Sequence, residues 1–73
     1  MSIDEKKEIL ADILEVSVEE IDESRELNSY DAWDSVAILG VISVINEKAG
    51  RFPHADEIKA LNTIGDLMEV LDK

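Results

Sequence analysis

Residues 30–39 read Tyr-Asp-Ala-Trp-Asp-Ser-Val-Ala-Ile-Leu, and they decide how the chain is divided. An acidic approach ends at Asp34 and Ser35, and a mostly apolar run then continues to Ile45. Because an aspartate carboxylate accepts hydrogen bonds from the free N–H groups of a helix's first turn, Asp34 is predicted to cap a helix that begins at Ser35. The Ser35 hydroxyl would then lie at the positive end of the helix dipole, where an anion such as a phosphate ester is favoured.

Apolar residues recur at helical spacing in the other parts of the chain as well. Ser2 and Glu5 are spaced as a capping box in front of the first of these patterns, and Thr63 and Asp66 have the same spacing in front of the last one. Gly50 is predicted to end the helix that starts at Ser35. The periodicity therefore predicts an all-α fold with three main helices and a short third one, at residues 3–15, 35–48, 55–61 and 64 to the end.

Between the first two helices, residues 16–34 are acidic and lack helical periodicity. They are predicted to form a long loop held by scattered apolar anchors such as Ile21 and Leu27, in which a single helical turn remains open. The loop does not match a calcium-binding loop that starts at Asp22, because Leu27 and not glycine stands at the sixth position. Phe52, the only phenylalanine, is predicted to fill the core.

Size and charge narrow the class of protein. The 73 residues are expected to form one domain, residues 1–73, and they include no cysteine and one histidine, His54, so no metal or catalytic site is predicted. A net charge of −11 argues against nucleic acid and suits a partner with a basic face. No apolar run is long enough to span a membrane or forms a leader, and a cytoplasmic monomer is expected.

Two motifs resemble those of acyl carrier proteins. One is residues 33–36, Trp-Asp-Ser-Val, in front of a long apolar helix, and the other is residues 63–67, Thr-Ile-Gly-Asp-Leu, which begin 28 positions after Ser35. The resemblance covers almost the whole chain and implies a small four-helix bundle with a long first loop. It also implies that Ser35 carries 4′-phosphopantetheine, which a separate phosphopantetheinyl transferase attaches. The protein would be a non-catalytic carrier, acted on by enzymes that activate or transfer acyl groups.

The resemblance also implies a surface for partner recognition around Ser35. Carriers of this family typically place acids on the outward face of the helix that follows the serine, and here Ala37 and Gly40 stand where two such acids are expected. Docking is therefore expected to depend more on shape and apolar contact, with partner enzymes that present basic or apolar faces. The predicted recognition residues are Trp33, Asp34, Val36, Ala37, Gly40 and Glu47. Trp33 has a second interpretation, as an anchor of the loop against the domain.

Three functions remain open from the sequence. The first is a carrier of acyl intermediates in fatty-acid, specialised lipid or secondary-metabolite biosynthesis. The second is a carrier of D-alanyl or other aminoacyl groups. The third is an unmodified acidic helical domain for protein interaction, in which Ser35 only belongs to a helix cap. The departure at Ala37 and Gly40 favours a dedicated carrier with its own enzymes.

Overall fold

The structure is a computed structural model that describes residues 1–72. Within that range the chain has no β-strand, so the prediction of an all-α fold with four helices is confirmed. The helices are α1 (Ile3–Leu14), α2 (Ser35–Ala49), α3 (Ala55–Lys59) and α4 (Ile64–Asp72). The segment between α1 and α2 contains two single turns of 3₁₀-helix, at Val18–Glu20 and Leu27–Ser29, where a loop with at most one turn was predicted.

Local sequence determines where the helices begin and end. The Ser2 hydroxyl accepts a hydrogen bond from the backbone N–H of Glu5, as predicted for the start of α1. Helix α1 ends one residue earlier than predicted, because Glu15 adopts the left-handed conformation, with φ 57°. Gly50 ends α2 in the same conformation, with φ 68°. A glycine takes this conformation without the steric cost that other residues carry.

The core is built from all four helices and from the segment between α1 and α2. Each helix from α1 to α4 contributes at least one fully buried residue, for example Leu10, Val41, Ile58 and Leu67 in that order. The segment before α2 contributes three buried residues, Ile21, Leu27 and Tyr30. Of these, Ile21 and Leu27 confirm the predicted apolar anchors. The core thus reaches beneath the acidic segment, and this contact fixes the approach to Ser35.

Backbone hydrogen bonds join the segment before α2 to the start of α4. The N–H of Leu27 donates to the carbonyl of Asn62 over 2.8 Å, and the N–H of Ile64 donates to the carbonyl of Arg25 over 3.0 Å. The N–H of Gly65 donates to the carbonyl of Glu23 over 2.9 Å. These bonds satisfy backbone groups that an irregular segment would otherwise leave to water, so residues 23–27 have a defined position.

A single ion pair within residues 1–72 links α1 to α4. The Nζ of Lys6 lies 2.5 Å from Oδ2 of Asp72, and the Lys6 side chain is almost completely buried. The hydrogen bond from Lys6 lowers the pKa of the Asp72 carboxyl. A buried ammonium group requires such a partner, because an unpaired charge in a protein interior is strongly unfavourable. The first and the last helix are therefore held together by charge as well as by apolar contact.

The prediction that Phe52 fills the core is wrong. Its side chain is 73% exposed. In the irregular segment after α2, half-buried and exposed residues alternate, and the neighbouring Arg51 occupies the inner position. The Nη2 of Arg51 donates to the carbonyl of Val70 in α4 over 3.1 Å, so Phe52 points outward.

The prediction that the chain lacks a membrane span is confirmed for the described part of the chain. None of the four helices combines the length and the apolar character that crossing a bilayer requires.

Candidate functional site

The start of α2 has the geometry that the sequence predicts. Asp34 has an extended backbone, with φ −141° and ψ −170°, and its Oδ1 accepts hydrogen bonds from the N–H groups of Val36 and Ala37, each over 3.0 Å. Ser35 is the first residue of the helix and is exposed. The carboxylate of Asp34 is thus engaged in capping, while the Ser35 side chain lies at an accessible helix N-terminus.

The segment that leads to Ser35 is held in place by contacts to one buried aromatic residue, Tyr30. The Tyr30 hydroxyl donates to the carbonyl of Glu20, and the guanidinium of Arg25 lies over the ring, 3.9 Å from its centroid. The Nε of Arg25 donates to the Ser29 hydroxyl over 2.7 Å. The cation–π contact and the two hydrogen bonds order a segment that has little regular secondary structure.

Trp33 adopts the role of an anchor and keeps a partly exposed surface. Its side chain is half-buried and packs against the core, and its backbone N–H donates to the carbonyl of Tyr30 over 3.1 Å. A tryptophan in this position immobilises the residues just before Ser35 and still leaves part of its ring surface accessible. Both interpretations from the sequence are compatible with this placement.

The outward surface of α2 differs from the predicted one and requires a correction. Ala37 is only 4% exposed and Val41 is fully buried, so neither residue lies on a docking surface. Val36 is 73% exposed and Leu39 is 62% exposed. We define Val36 and Leu39 as the apolar patch. They are three positions apart and therefore share one side of the helix, next to Ser35.

The remaining predicted recognition residues lie in different environments. Glu47 is exposed and lies in the last turn of α2. Gly40 is half-buried and faces α1, because a Cβ atom placed on it would lie 3.6–3.8 Å from the side-chain carbons of Ile13. Of the predicted set, only Asp34 and Val36 are both exposed and adjacent to Ser35 in the chain.

Two clefts border the residues that precede Ser35. The large cleft, of about 440 Å³, lies between residues 14–16, where α1 ends, and residues 29–32 with Asp34, and its wall also includes Glu20 and Arg25. The small cleft, of about 310 Å³, lies between α1 and the start of α2. Glu15, Ala32 and Asp34 belong to the walls of both clefts. The sequence did not predict these clefts, because they depend on how α1 meets the irregular segment.

Local hydrogen bonds lower the pKa of two carboxyl groups, those of Asp22 and Asp66. The two residues flank the backbone hydrogen bonds that join residues 23–27 to the start of α4. The hydroxyl and the N–H of Ser24 lower the pKa of Asp22. The N–H groups of Asn62 and Thr63 lower the pKa of Asp66, which together with the Thr63 hydroxyl forms the predicted capping box of α4. Among the residues that the structure describes, no group of acids and histidine is arranged to hold a metal ion. Both perturbed carboxyl groups are thus explained by local structure.

Comparisons with known proteins add no relationship to this description. No protein-family model matches the chain, and neither a curated protein nor a solved structure matches it. The resemblance to acyl carrier proteins therefore rests on the motifs in the sequence.

Proposed function

We propose that the protein is an acyl carrier protein whose Ser35 bears a 4′-phosphopantetheine arm. It would carry acyl intermediates in fatty-acid, specialised lipid or secondary-metabolite biosynthesis, and its four helices would form the small bundle that this function implies. The observation that supports the proposal most is the exposed Ser35 at the first position of α2, behind a complete Asp34 cap. A serine in this position is accessible to a modifying enzyme, and its surroundings favour a phosphate ester.

The residues around Ser35 fit the proposed group. Val36 is exposed and does not cover the serine, and the carboxylate of Asp34 is occupied by two backbone N–H groups. When bound, the group supplies a terminal thiol that holds an acyl chain as a thioester. The chain's own contribution is to present Ser35, to order its approach through Tyr30, and to offer surfaces that enzymes recognise.

The proposed partners are a phosphopantetheinyl transferase and enzymes that activate or transfer acyl groups. The apolar patch of Val36 and Leu39 offers a contact next to the modified residue, with Asp34 at one end and Glu47 further along α2. Exposed apolar side chains with acids nearby suit a partner whose apolar site has a basic rim. The net charge of −11 would speed the encounter with such a partner.

Mass spectrometry tests the proposal directly. The full chain is incubated with coenzyme A, Mg²⁺ and a broad-specificity phosphopantetheinyl transferase. In this reaction Ser35 Oγ forms a bond to phosphorus and loses its proton, and adenosine 3′,5′-bisphosphate leaves. We expect one phosphopantetheinyl group per chain and none on Ser35→Ala. The variant is a suitable control because Ser35 is exposed and its side chain does not cap the helix.

Two outcomes would contradict the proposal. Modification of another serine in place of Ser35 would refute the assigned site. A chain that stays unmodified with the transferase, while a known carrier is modified in the same mixture, would favour the unmodified interaction domain.

A further inference from the structure

The large cleft is the feature that the proposed function leaves unexplained. It opens between the end of α1 and the residues that lead to Ser35, and Asp34, the neighbour of Ser35, is part of its wall. Its volume of about 440 Å³ is within the range of small-molecule sites in proteins. A group that is attached to Ser35 therefore begins next to a space large enough to receive part of it.

We propose that the arm on Ser35 lies back into the large cleft, along Ala32 and Tyr30 and against the end of α1. This inference rests on the proposed function. Linking the arm to Ser35 makes its entry into the cleft an intramolecular event, so even weak contacts can keep it there for much of the time. The cleft is on the α1 side of Ser35, whereas the apolar patch lies on α2.

The walls of the cleft match the chemistry of the arm. A pantetheine chain is uncharged between its phosphate and its thiol, and it combines amide groups with a branched apolar portion. Val16 and Ala32 are half-buried and contribute apolar surface to the cleft, Ser29 contributes a hydroxyl, and the almost completely buried Leu14 and Tyr30 lie beneath it. Amides and methyl groups both find suitable neighbours in such a cleft.

Arg25 provides a donor that is already held in place. Its guanidinium is stacked on Tyr30 at 3.9 Å, and two of its N–H groups donate to the hydroxyl and the carbonyl of Ser29. Since a guanidinium carries five N–H donors, three remain for amide carbonyl oxygens of the arm. An ordered donor loses little conformational freedom when it binds, which favours the contact.

The absence of cysteine from the chain makes the proposal measurable. The thiol of the arm is the only thiol in the loaded protein, so its reactivity reports how often the arm is exposed. The reagent should be neutral, for example N-ethylmaleimide, because Glu15, Glu20 and Asp31 give the cleft a negative wall that would repel an anionic reagent. Alkylation is followed by mass spectrometry on the full, loaded chain, with free pantetheine as the reference.

The expected result is a slower reaction of the loaded protein. We expect alkylation about fivefold slower than that of free pantetheine, which corresponds to an arm that is exposed for roughly one fifth of the time. Ala32→Phe, which places a large ring where the two clefts meet, should return the rate to that of free pantetheine. Ala49→Phe adds the same ring at an exposed position at the end of α2, outside the cleft, and should react as slowly as the unchanged protein.

Either of two results would overturn the inference: a loaded protein that reacts as fast as free pantetheine, or equal rates for Ala32→Phe and Ala49→Phe. A second measurement needs no variant. Loading should shift the amide NMR signals of Glu15, Tyr30 and Ala32 more than that of Leu39. Larger shifts at Leu39 would place the arm on α2 and contradict the proposal. Failure of the transferase to add any mass refutes the proposed function itself, whereas a loaded but fully reactive thiol refutes only this inference.

Discussion

The irregular segment 16–34 and helix α2 follow each other in the chain and use apolar residues in opposite ways. The segment is acidic, yet Leu27 and Tyr30 in it are almost completely buried. Helix α2 is apolar over most of its length, yet Val36 and Leu39 face solvent. In a domain of this size, an isolated apolar residue among acids can reach the core, whereas a helix that is apolar on all sides cannot bury every side. Burial therefore follows a residue's position relative to the core and not the character of its neighbours.

Two substitutions of the same kind test this comparison with the largest expected effect. Leu27→Ala removes a side chain that is 1% exposed, and we expect it to lower the free energy of unfolding by about 2–5 kcal/mol. Leu39→Ala removes an exposed side chain, so we expect a change of about 0.5 kcal/mol or less. Urea denaturation at pH 7 measures both values. Similar losses for the two variants would show that Leu39 contributes to the core.

Leu39→Ala also tests the apolar patch. If the patch contacts a partner enzyme, this variant should be loaded at Ser35 and remain stable, while acyl transfer by the cognate enzyme becomes slower. Phe52→Ala is the matched control, because Phe52 is similarly exposed but lies beyond the far end of α2. Equal transfer rates for Leu39→Ala and the unchanged protein would exclude the patch as a recognition surface.

The parts of the fold that sequence could predict are those that depend on neighbours in the chain. The Asp34 cap, the Gly50 terminus and the Thr63–Asp66 capping box are formed by residues within a few positions of each other, and the structure has all three. The side of α2 that faces the core could not be predicted, because an apolar helix has no polar stripe to mark its outer side. Exposure of Leu39 and burial of Val41 follow from contacts with other helices.

The candidate site also has features that the local sequence predicts and features that it does not. The exposed Ser35 at the first position of α2 follows from the residues next to it. The large cleft and the stacking of Arg25 on Tyr30 arise where distant segments meet, so no local pattern indicates them. Phe52 shows the same limit, since its neighbour Arg51 takes the inner position only through a hydrogen bond to Val70 in α4.

Another prediction concerns Asp34, at the boundary between the segment 16–34 and α2. Asp34→Ala leaves the N–H groups of Val36 and Ala37 without their acceptor, and we expect a loss of about 1 kcal/mol in the free energy of unfolding. Asp34→Asn keeps an oxygen acceptor, so it should retain most of the stability. Thermal melts of the two variants provide the measurement. If Asp34→Asn lost as much stability as Asp34→Ala, the negative charge would matter more than the hydrogen-bond acceptor.

A further prediction concerns the side of α2 that faces α1. A Cβ atom at Gly40 would meet Ile13 at ordinary contact distances of 3.6–3.8 Å. Gly40→Ala should therefore stabilise the fold by up to about 1 kcal/mol, through helix propensity. At Gly65 a Cβ atom would lie only 3.1 Å from the Glu23 carbonyl oxygen, so Gly65→Ala should gain less or lose stability. Destabilisation by Gly40→Ala, measured by urea denaturation, would mean that α1 and α2 tolerate no added volume there.

The smallest expected effect is on how the melting temperature decreases at acidic pH. The N–H groups of Asn62 and Thr63 lower the pKa of Asp66, so its ionised form is favoured in the folded state. This stability is present above the unfolded pKa of about 3.9 and is lost as the pH falls through the folded value. Asp66→Asn should weaken the decrease in melting temperature between about pH 5 and pH 2, since its side chain does not titrate. An unchanged decrease would assign the acid sensitivity to other carboxyl groups, such as Asp72, whose pKa the hydrogen bond from Lys6 lowers.

The hydrogen bonds between residues 23–27 and the start of α4 impose an order on biosynthesis. Their partners stand 35 to 42 positions later in the chain, from Leu27 to Asn62 and from Glu23 to Gly65. A ribosome delivers the early residues first, so the segment that leads to Ser35 waits for α4 before it can take its final conformation. A chain interrupted before residue 62 would present Ser35 behind an approach that lacks these three backbone hydrogen bonds. An enzyme that recognises the folded approach would therefore modify finished chains and pass over incomplete ones.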